Sequence, residues 1–447
     1  MGIYNHEVAT FRDNDKVITM KTLALPLILQ SLIVNLIDTT GVLVLSGYSD
    51  SVVAATSVSN QITNLPQNIL NTIATGTVIL TSIALGEKKK EKAANISGCG
   101  ILLALFLSLV TAVAVSLWSD GLTRLMALTG DTQKKAAVFL AIKVFSMPII
   151  TVRGVLQQLL ICSGHSKEVL VSGTVTGALN AGLSYVVLYM VKLPCDEMTA
   201  LALKTIVAWI VGFTITLFFF IRHRCPVSLH FNFGISGRIL RLGLPAGMCV
   251  ISYNLSTTIT TGFLASMGET ALNTKIYIGN IVTYVPIIGF ALAGATSVFM
   301  GRHRGAKNFE AMKILFRQNL YTTLAINLIL SVLVFILQRP LLSLFTRDAE
   351  IFKMAWLVFL LDIPLELARG INNHSENCLN PNGDVKTTLT VSVIAGWLFS
   401  VALGYILCVG CNMGIIGLWI GFLCNEWCKV VVYLVRWRSG RWQNTKI

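Results

Sequence analysis

Charge is what this 447-residue chain has least of: 13 % of its residues are Asp, Glu, Lys or Arg, against 54 % hydrophobic. A soluble globular domain carries about 25 % charged residues, so that class is excluded and a polytopic membrane protein is indicated. Acids are scarcer than bases, 21 against 35. The net charge of +14 would point to nucleic acid if the bases formed one folded face. They come instead in short bursts between apolar runs, which fits a membrane surface, and no nucleic-acid partner is expected. No HExxH or GxSxG pattern occurs and the six histidines sit in or near polar loops, so an embedded enzyme is not expected. The ten cysteines lack zinc-finger spacing with histidine, and most (Cys99, Cys162, Cys249, Cys408, Cys424, Cys428) read as small buried hydrophobes. No cofactor is implied and a metal is left unknown. The opening MGIYNHEVATFRDNDK lacks the apolar core of a cleavable signal peptide, and His6 breaks a myristoylation motif.

What the chain does have is apolar length. Runs long enough to span ~30 Å of hydrocarbon recur about twelve times. They fall near 23–47, 51–85, 94–118, 136–163, 168–191, 199–221, 238–267, 271–301, 318–338, 349–378, 385–408 and 413–435. Prolines inside them (Pro66, Pro148, Pro286, Pro364) each remove a backbone hydrogen bond and permit a bend. The bases Lys88–Lys92, Arg222, Arg224, Arg302, Arg304, Arg436 and Arg438 all fall on the side of the N terminus, whereas Ser46–Ser51 and Cys408–Asn412 hold none. That asymmetry predicts a multi-pass protein of the cell membrane with both termini in the cytoplasm.

Leu25–Gly47 is a span with one acid near its middle, Asp38. A mid-membrane carboxylate costs roughly 2.5–3.5 kcal/mol on insertion scales, so an anchor would be better without it. Asp38 is therefore a candidate for binding and releasing a cation; the alternative is a carboxylate satisfied by a neighbouring hydroxyl or amide that holds two helices together. The tenth span carries Asp362, Glu366 and Arg369 at i, i+4 and i+7, which share one stripe. Glu366–Arg369 reads as an intramembrane ion pair, and Asp362 has no obvious local partner. Lys143 and Glu426 read as charges that snorkel toward the interface, and Arg153 as structural.

The chain repeats itself. Leu25-Pro26 returns as Leu244-Pro245, Asn35 as Asn254, Pro66 as Pro286, and Pro148…Arg153-Gly154…Cys162 as Pro364…Arg369-Gly370…Cys378. One half holds about six spans, an even number, so both halves insert the same way about an axis along the membrane normal. The expected organisation is an N-terminal lobe over 1–221, a basic cytoplasmic linker over 222–237, and a C-terminal lobe over 238–447. Two such bundles facing a cavity make an alternating-access design. Asn35 and Asn254 are candidate substrate-binding residues.

The stretches LALPLILQSLIVNLIDTTGVLVLSG, LGLPAGMCVISYNLSTTITTGFLASMG, GNIVTYVPIIGFALAGATSVFMGRHRGA, GALNAGLSY and GIIGLWIG carry a resemblance over nearly the whole chain. Together they resemble the multidrug and toxic compound extrusion (MATE) transporters of the MOP superfamily. The resemblance implies an all-α fold of twelve transmembrane helices in two six-helix lobes related by a pseudo-twofold. It also implies export of organic, often cationic, compounds by a monomer, driven by inward H⁺ or Na⁺. In the family pattern the helix-one aspartate falls on Asp38, the helix-five asparagine on Asn180, and a helix-six hydroxyl on Thr205. An aspartate usual four residues after Asn180 is here Ser184. With one acid fewer, proton coupling is favoured over sodium. A dedicated natural-product exporter and a lipid-linked precursor flippase are the alternatives within the same fold.

Overall fold

The computed structural model describes residues 8–13, 16–46, 50–126, 130–190 and 196–445; the side chain of Asp38 lies outside the described residues. Apart from two short strands, Thr10–Asp13 and Lys16–Thr19, and the turns and loops between elements, these residues are helical. The helices are α1 (Met20–Ser46), α2 (Asp50–Gly86), α3 (Lys90–Leu117), α4 (Ser119–Leu125), α5 (Gly130–Lys143), α6 (Ser146–Cys162), α7 (Ser166–Tyr185) and α8 (Glu197–Arg222). There follow α9 (Phe233–Ala265), α10 (Glu269–Val282), α11 (Val285–Gly305), α12 (Phe309–Ile336), α13 (Gln338–Ser343), α14 (Ala349–Leu379), α15 (Val385–Ala395) and α16 (Gly414–Arg438). Wide π-helical turns extend α7 over Val186–Met190 and α15 over Gly396–Leu403 and Ile406–Gly410.

Ten helices are long and apolar enough to cross a membrane, and α5 with α6, bent by 47°, makes an eleventh span. The twelfth is α14, which fails a purely apolar test because it carries Asp362, Glu366 and Arg369 in its middle. The fold is therefore the all-α, twelve-span arrangement expected. Proline places several breaks: Pro148 opens the first turn of α6, and Pro286 that of α11, where its missing N–H removes no helical bond.

The chain forms two compact units, Asp13–Gly247 and Met248–Ile447, the latter joined by Met1–Arg12. Among the ten helices that pass the apolar test singly, one in each unit is largely enclosed. The apolar window of α2 is 72 % buried and that of α11 67 %, whereas most other spans have 22–28 % buried. These two helices stand at equivalent places in the repeat, carrying Pro66 and Pro286. The outer helices leave apolar side chains such as Phe106, Val110, Leu203 and Val207 exposed, as lipid contact requires.

In the first unit α1 packs along α7, and α2 against α3 and α6. The chain after α8 folds back on α3: the Ser228 amide donates to the Ala94 carbonyl at 3.0 Å. Gly98 permits that approach, since a Cβ there would meet the Ser228 carbonyl oxygen at 1.8 Å. The first turns of α9 also belong to this unit. Gly243 and Gly247 lie on Thr72 of α2, and the unit boundary falls at Gly247/Met248, beside Pro245.

In the second unit Leu264, Ile278, Val285, Phe359, Leu418 and Trp419 form the main core. Phe316, Trp437 and Trp442 stack at 4.2 and 4.3 Å between ring centroids. The N-terminal segment docks here too: the Arg302 guanidinium lies 3.8 Å from the Phe11 ring, and His303 Nε2 hydrogen-bonds the Val8 carbonyl at 2.8 Å.

Candidate functional site

Two polar clusters interrupt the apolar packing, one in each unit. In the first, Asn180 and Ser184 sit one turn apart on α7, as their spacing predicts. The side chain they address is Lys204 of α8. Its Nζ donates to Asn180 Oδ1 at 2.8 Å, the Asn180 carbonyl at 3.1 Å and Ser184 Oγ at 2.6 Å. Thr205, the neighbour of Lys204, is buried, and its hydroxyl is spent on the Leu201 carbonyl of its own helix at 2.8 Å. The structure thus brings Asn180 and Ser184 together around a lysine and does not add Thr205 to them. Asn35 Nδ2 donates to the Ser31 carbonyl one turn back at 2.8 Å. Asn254 is exposed on α9, and its carbonyl accepts the Thr258 hydroxyl at 2.9 Å.

Lys143, at the end of α5, does not snorkel. It reaches across to α2, where its ammonium donates to Asn60 Oδ1 and to Thr63 Oγ1. Arg153 on α6 is buried; its guanidinium bonds the Ser172 carbonyl at 3.0 Å and Thr216 Oγ1 at 3.3 Å, and faces the Trp209 ring. At one end of the unit His165, Glu168 and His223 cluster, with Glu168 Oε1 2.9 Å from His223 Nε2 and the two imidazoles stacked at 3.6 Å. This is the only trio among the described residues with metal-ligand geometry; its hydrogen bonds tie the start of α7 to the end of α8.

In the second unit a ladder of charge runs between α14 and α16. Asp362 is 3 % exposed and accepts the Trp419 indole N–H at 3.2 Å. One turn along, Glu366 is fully buried and pairs with Arg369. Its other oxygen, Oε2, has no hydrogen-bond partner among the described residues. Asn372 follows, donating to Glu426 Oε2 at 2.7 Å, and Glu426 pairs with Lys429 at 2.6 Å. The Tyr433 hydroxyl then lies 2.8 Å from Glu376 Oε1, and Arg436 closes the series on Asp384 at 2.6 Å. Glu426 does not snorkel: it is 5 % exposed and held by Asn372, Asn425 and Lys429. From Asp362 to Glu376 the ladder covers ~21 Å of helix.

The repeat shows how the clusters diverged. Arg153 and Arg369 occupy matching positions, but the acids beside Arg369 have no counterparts. With Pro148 set on Pro364, Asp362 faces Ser146 and Glu366 faces Ile150. Arg153 therefore bonds neutral oxygens, whereas Arg369 bonds a carboxylate.

A duplicated bundle of twelve spans with buried polar clusters in both halves is the architecture of a membrane transporter. The MatE family profile matches residues 26–186 and 245–406, once in each half, and the chain belongs to that family of multidrug efflux transporters. Among its relatives, the Bacillus subtilis transporter YisQ, described as uncharacterized, is 30 % identical over 439 residues, 96 % of this chain and 95 % of that one. A probable multidrug resistance protein NorM of Thermotoga maritima is 21 % identical over 95 % of this chain and 93 % of its own. Two solved structures share the fold. One is a MOP superfamily transporter from Pyrococcus furiosus described as having a binding pocket of reverse polarity (TM-score 0.87, 17 % identity, 96 % of each chain). The other is an outward-facing multidrug resistance MATE transporter (TM-score 0.88, 17 % identity, 95 % of this chain and 96 % of that one).

Proposed function

We propose that the chain exports small organic compounds across the cell membrane in exchange for protons, by alternating access, with both termini in the cytoplasm. Membership of a multidrug efflux family supports the class of activity. The coupling reading is carried by one observation: Asp362 is buried beside Glu366, and the pair shares a single guanidinium, that of Arg369, which Glu366 takes. One negative charge is left whose one hydrogen-bond donor among the described residues is an indole N–H. A proton cancels it without needing further ligands. A sodium ion needs several oxygens around it, and the Trp419 N–H at this carboxylate is a donor that repels a cation. Proton uptake at Asp362, with Asp38 as the corresponding intramembrane acid of the first unit, alters the charge within each bundle as it cycles.

One pH unit supplies ~1.4 kcal/mol per proton, and 100 mV supplies ~2.3 kcal/mol per net charge moved. A neutral compound exchanged for one proton draws on both. The test is transport into everted vesicles with Asp362→Asn, Asp362→Glu and Asp38→Asn. Loss of acid-driven accumulation in both Asn variants, with recovery in Asp362→Glu, is expected. Undiminished drive in Asp362→Asn removes that carboxylate from the coupling.

A further inference from the structure

The described polar atoms around Lys143 and Lys204 are all neutral: Asn60 and Thr63 for one, Asn180 and Ser184 for the other. Neutral oxygens solvate an ammonium but leave its charge uncancelled. Among the described residues neither lysine bonds an acid, and an intramembrane charge placed so faces a water-filled cavity or the bundle interior. The two stand at the same level. Lys135 and Glu197 bridge α5 and α8 at 3.0 Å. Lys143 is eight residues further along α5 and Lys204 seven further along α8, so both lie ~10–12 Å beyond that bridge.

The surface beside Lys143 is polar. Helix α2 exposes Asn60, Gln61, Asn64 and Asn71 along one side, and Gln67 Nε2 donates to Asn71 Oδ1 at 3.1 Å and Thr151 Oγ1 at 3.2 Å. A row of carboxamides cannot face acyl chains without leaving donors unpaired. Asn60, the Lys143 partner, begins that row. Lys204 itself is half-buried.

We propose that Lys143 and Lys204, with the carboxamides of Asn60 and Asn180, form the subsite for an anionic group of the exported compound: a carboxylate, sulfonate or phosphate on a small organic molecule. This rests on the reading of the chain as an exporter and names its substrate class as organic anions. Two ammoniums and two carboxamides supply charge-assisted hydrogen bonds to such a group. A cationic compound would meet the same two positive charges and be repelled. Asp362, which takes up a proton in that reading, is in the other unit, so an anion can bind here without neutralising it.

The test is equilibrium binding to the full-length protein in phosphatidylcholine nanodiscs, read by fluorescence anisotropy with carboxyfluorescein as the anion and rhodamine 6G as the cation. Carboxyfluorescein is expected to bind more tightly. Lys143→Met/Lys204→Met is expected to weaken it about tenfold or more, and Lys204→Arg to keep it within about threefold. Tighter binding of rhodamine 6G by the unaltered protein, which needs no variant to fold, overturns the proposal. So does anion binding unchanged in the double variant. Displacement of the dye by added phosphatidylglycerol overturns the substrate assignment in favour of a lipid headgroup. Anion binding without proton-driven flux in vesicles upholds the subsite and removes the exporter reading, so the two failures are distinct.

Discussion

Arg369 shows what a buried charge costs when its partner goes. It pairs with Glu366, which has no exposed surface, and Glu366 Oε2 has nothing else to bond. Arg369→Met strands that carboxylate. Removing one member of such a pair costs roughly 3–5 kcal/mol, whereas replacing both is often neutral. Thermal unfolding in detergent should therefore show a large loss for Arg369→Met and recovery of most of it in Glu366→Gln/Arg369→Met. This pair was legible in the sequence, because i, i+3 spacing inside one helix needs no knowledge of the fold. Lys204 was not. A lysine seven residues into α8 reads as a snorkelling side chain, and only packing of α7 on α8 reveals that it enters the Asn180–Ser184 pair. The one signal was local: LALKTIVAW sets the lysine among apolar residues on both sides. Glu426 was half hidden: its i, i+3 pairing with Lys429 needs only one helix, but its bond from Asn372, 54 residues away, needs the fold.

At the scale of elements, glycine decides how close helices come. In GIIGLWIG the Gly414 backbone has φ +59°, which opens α16 after a tight turn. Gly417 and Gly421, one turn apart, lie against backbone: a Cβ at Gly417 would meet the Leu407 carbonyl carbon at 2.6 Å, and one at Gly421 the Phe399 oxygen at 2.8 Å. This small-xxx-small face seats α16 on the π-helical turns that follow α15. Gly421→Ala forces backbone apart and should destabilise by about 1–3 kcal/mol, visible as a lower melting temperature, whereas Gly154→Ala, where a Cβ meets nothing within 4 Å, should be silent. The motif was visible in the sequence as a family feature; the π-helical widening it packs against was not, because no periodicity marks an extra residue in a turn. The twelve spans were legible for a plain reason: hydrocarbon demands length and apolarity, and even α14, burdened with acids, keeps the apolar run MAWLVFLL ahead of them.

For the whole molecule, the division into two units follows the repeat, but its seam carries detail that the repeat does not. The first part of α9 stays with the first unit through Gly243 and Gly247 on Thr72, and Val8, Ala9 and Phe11 pack in the second. Phe11→Ala removes the aromatic face from Arg302 and is expected to lower the stability of the second unit modestly, by about 1 kcal/mol, without touching binding at Lys143 and Lys204. The two units also differ in charge: among the described membrane-spanning residues, the first presents Lys143, Arg153 and Lys204, and the second Asp362, Glu366, Glu376 and Glu426 against Lys275, Arg369 and Lys429.

The most direct measurement is flux of carboxyfluorescein in proteoliposomes holding the unaltered protein or Asp362→Asn, under an imposed pH gradient alone and then a sodium gradient alone. The account predicts flux driven by the pH gradient in the unaltered protein, none above background in Asp362→Asn, and no response to sodium. Flux that follows sodium instead, or that survives the loss of the Asp362 carboxylate at full rate under the pH gradient, contradicts it.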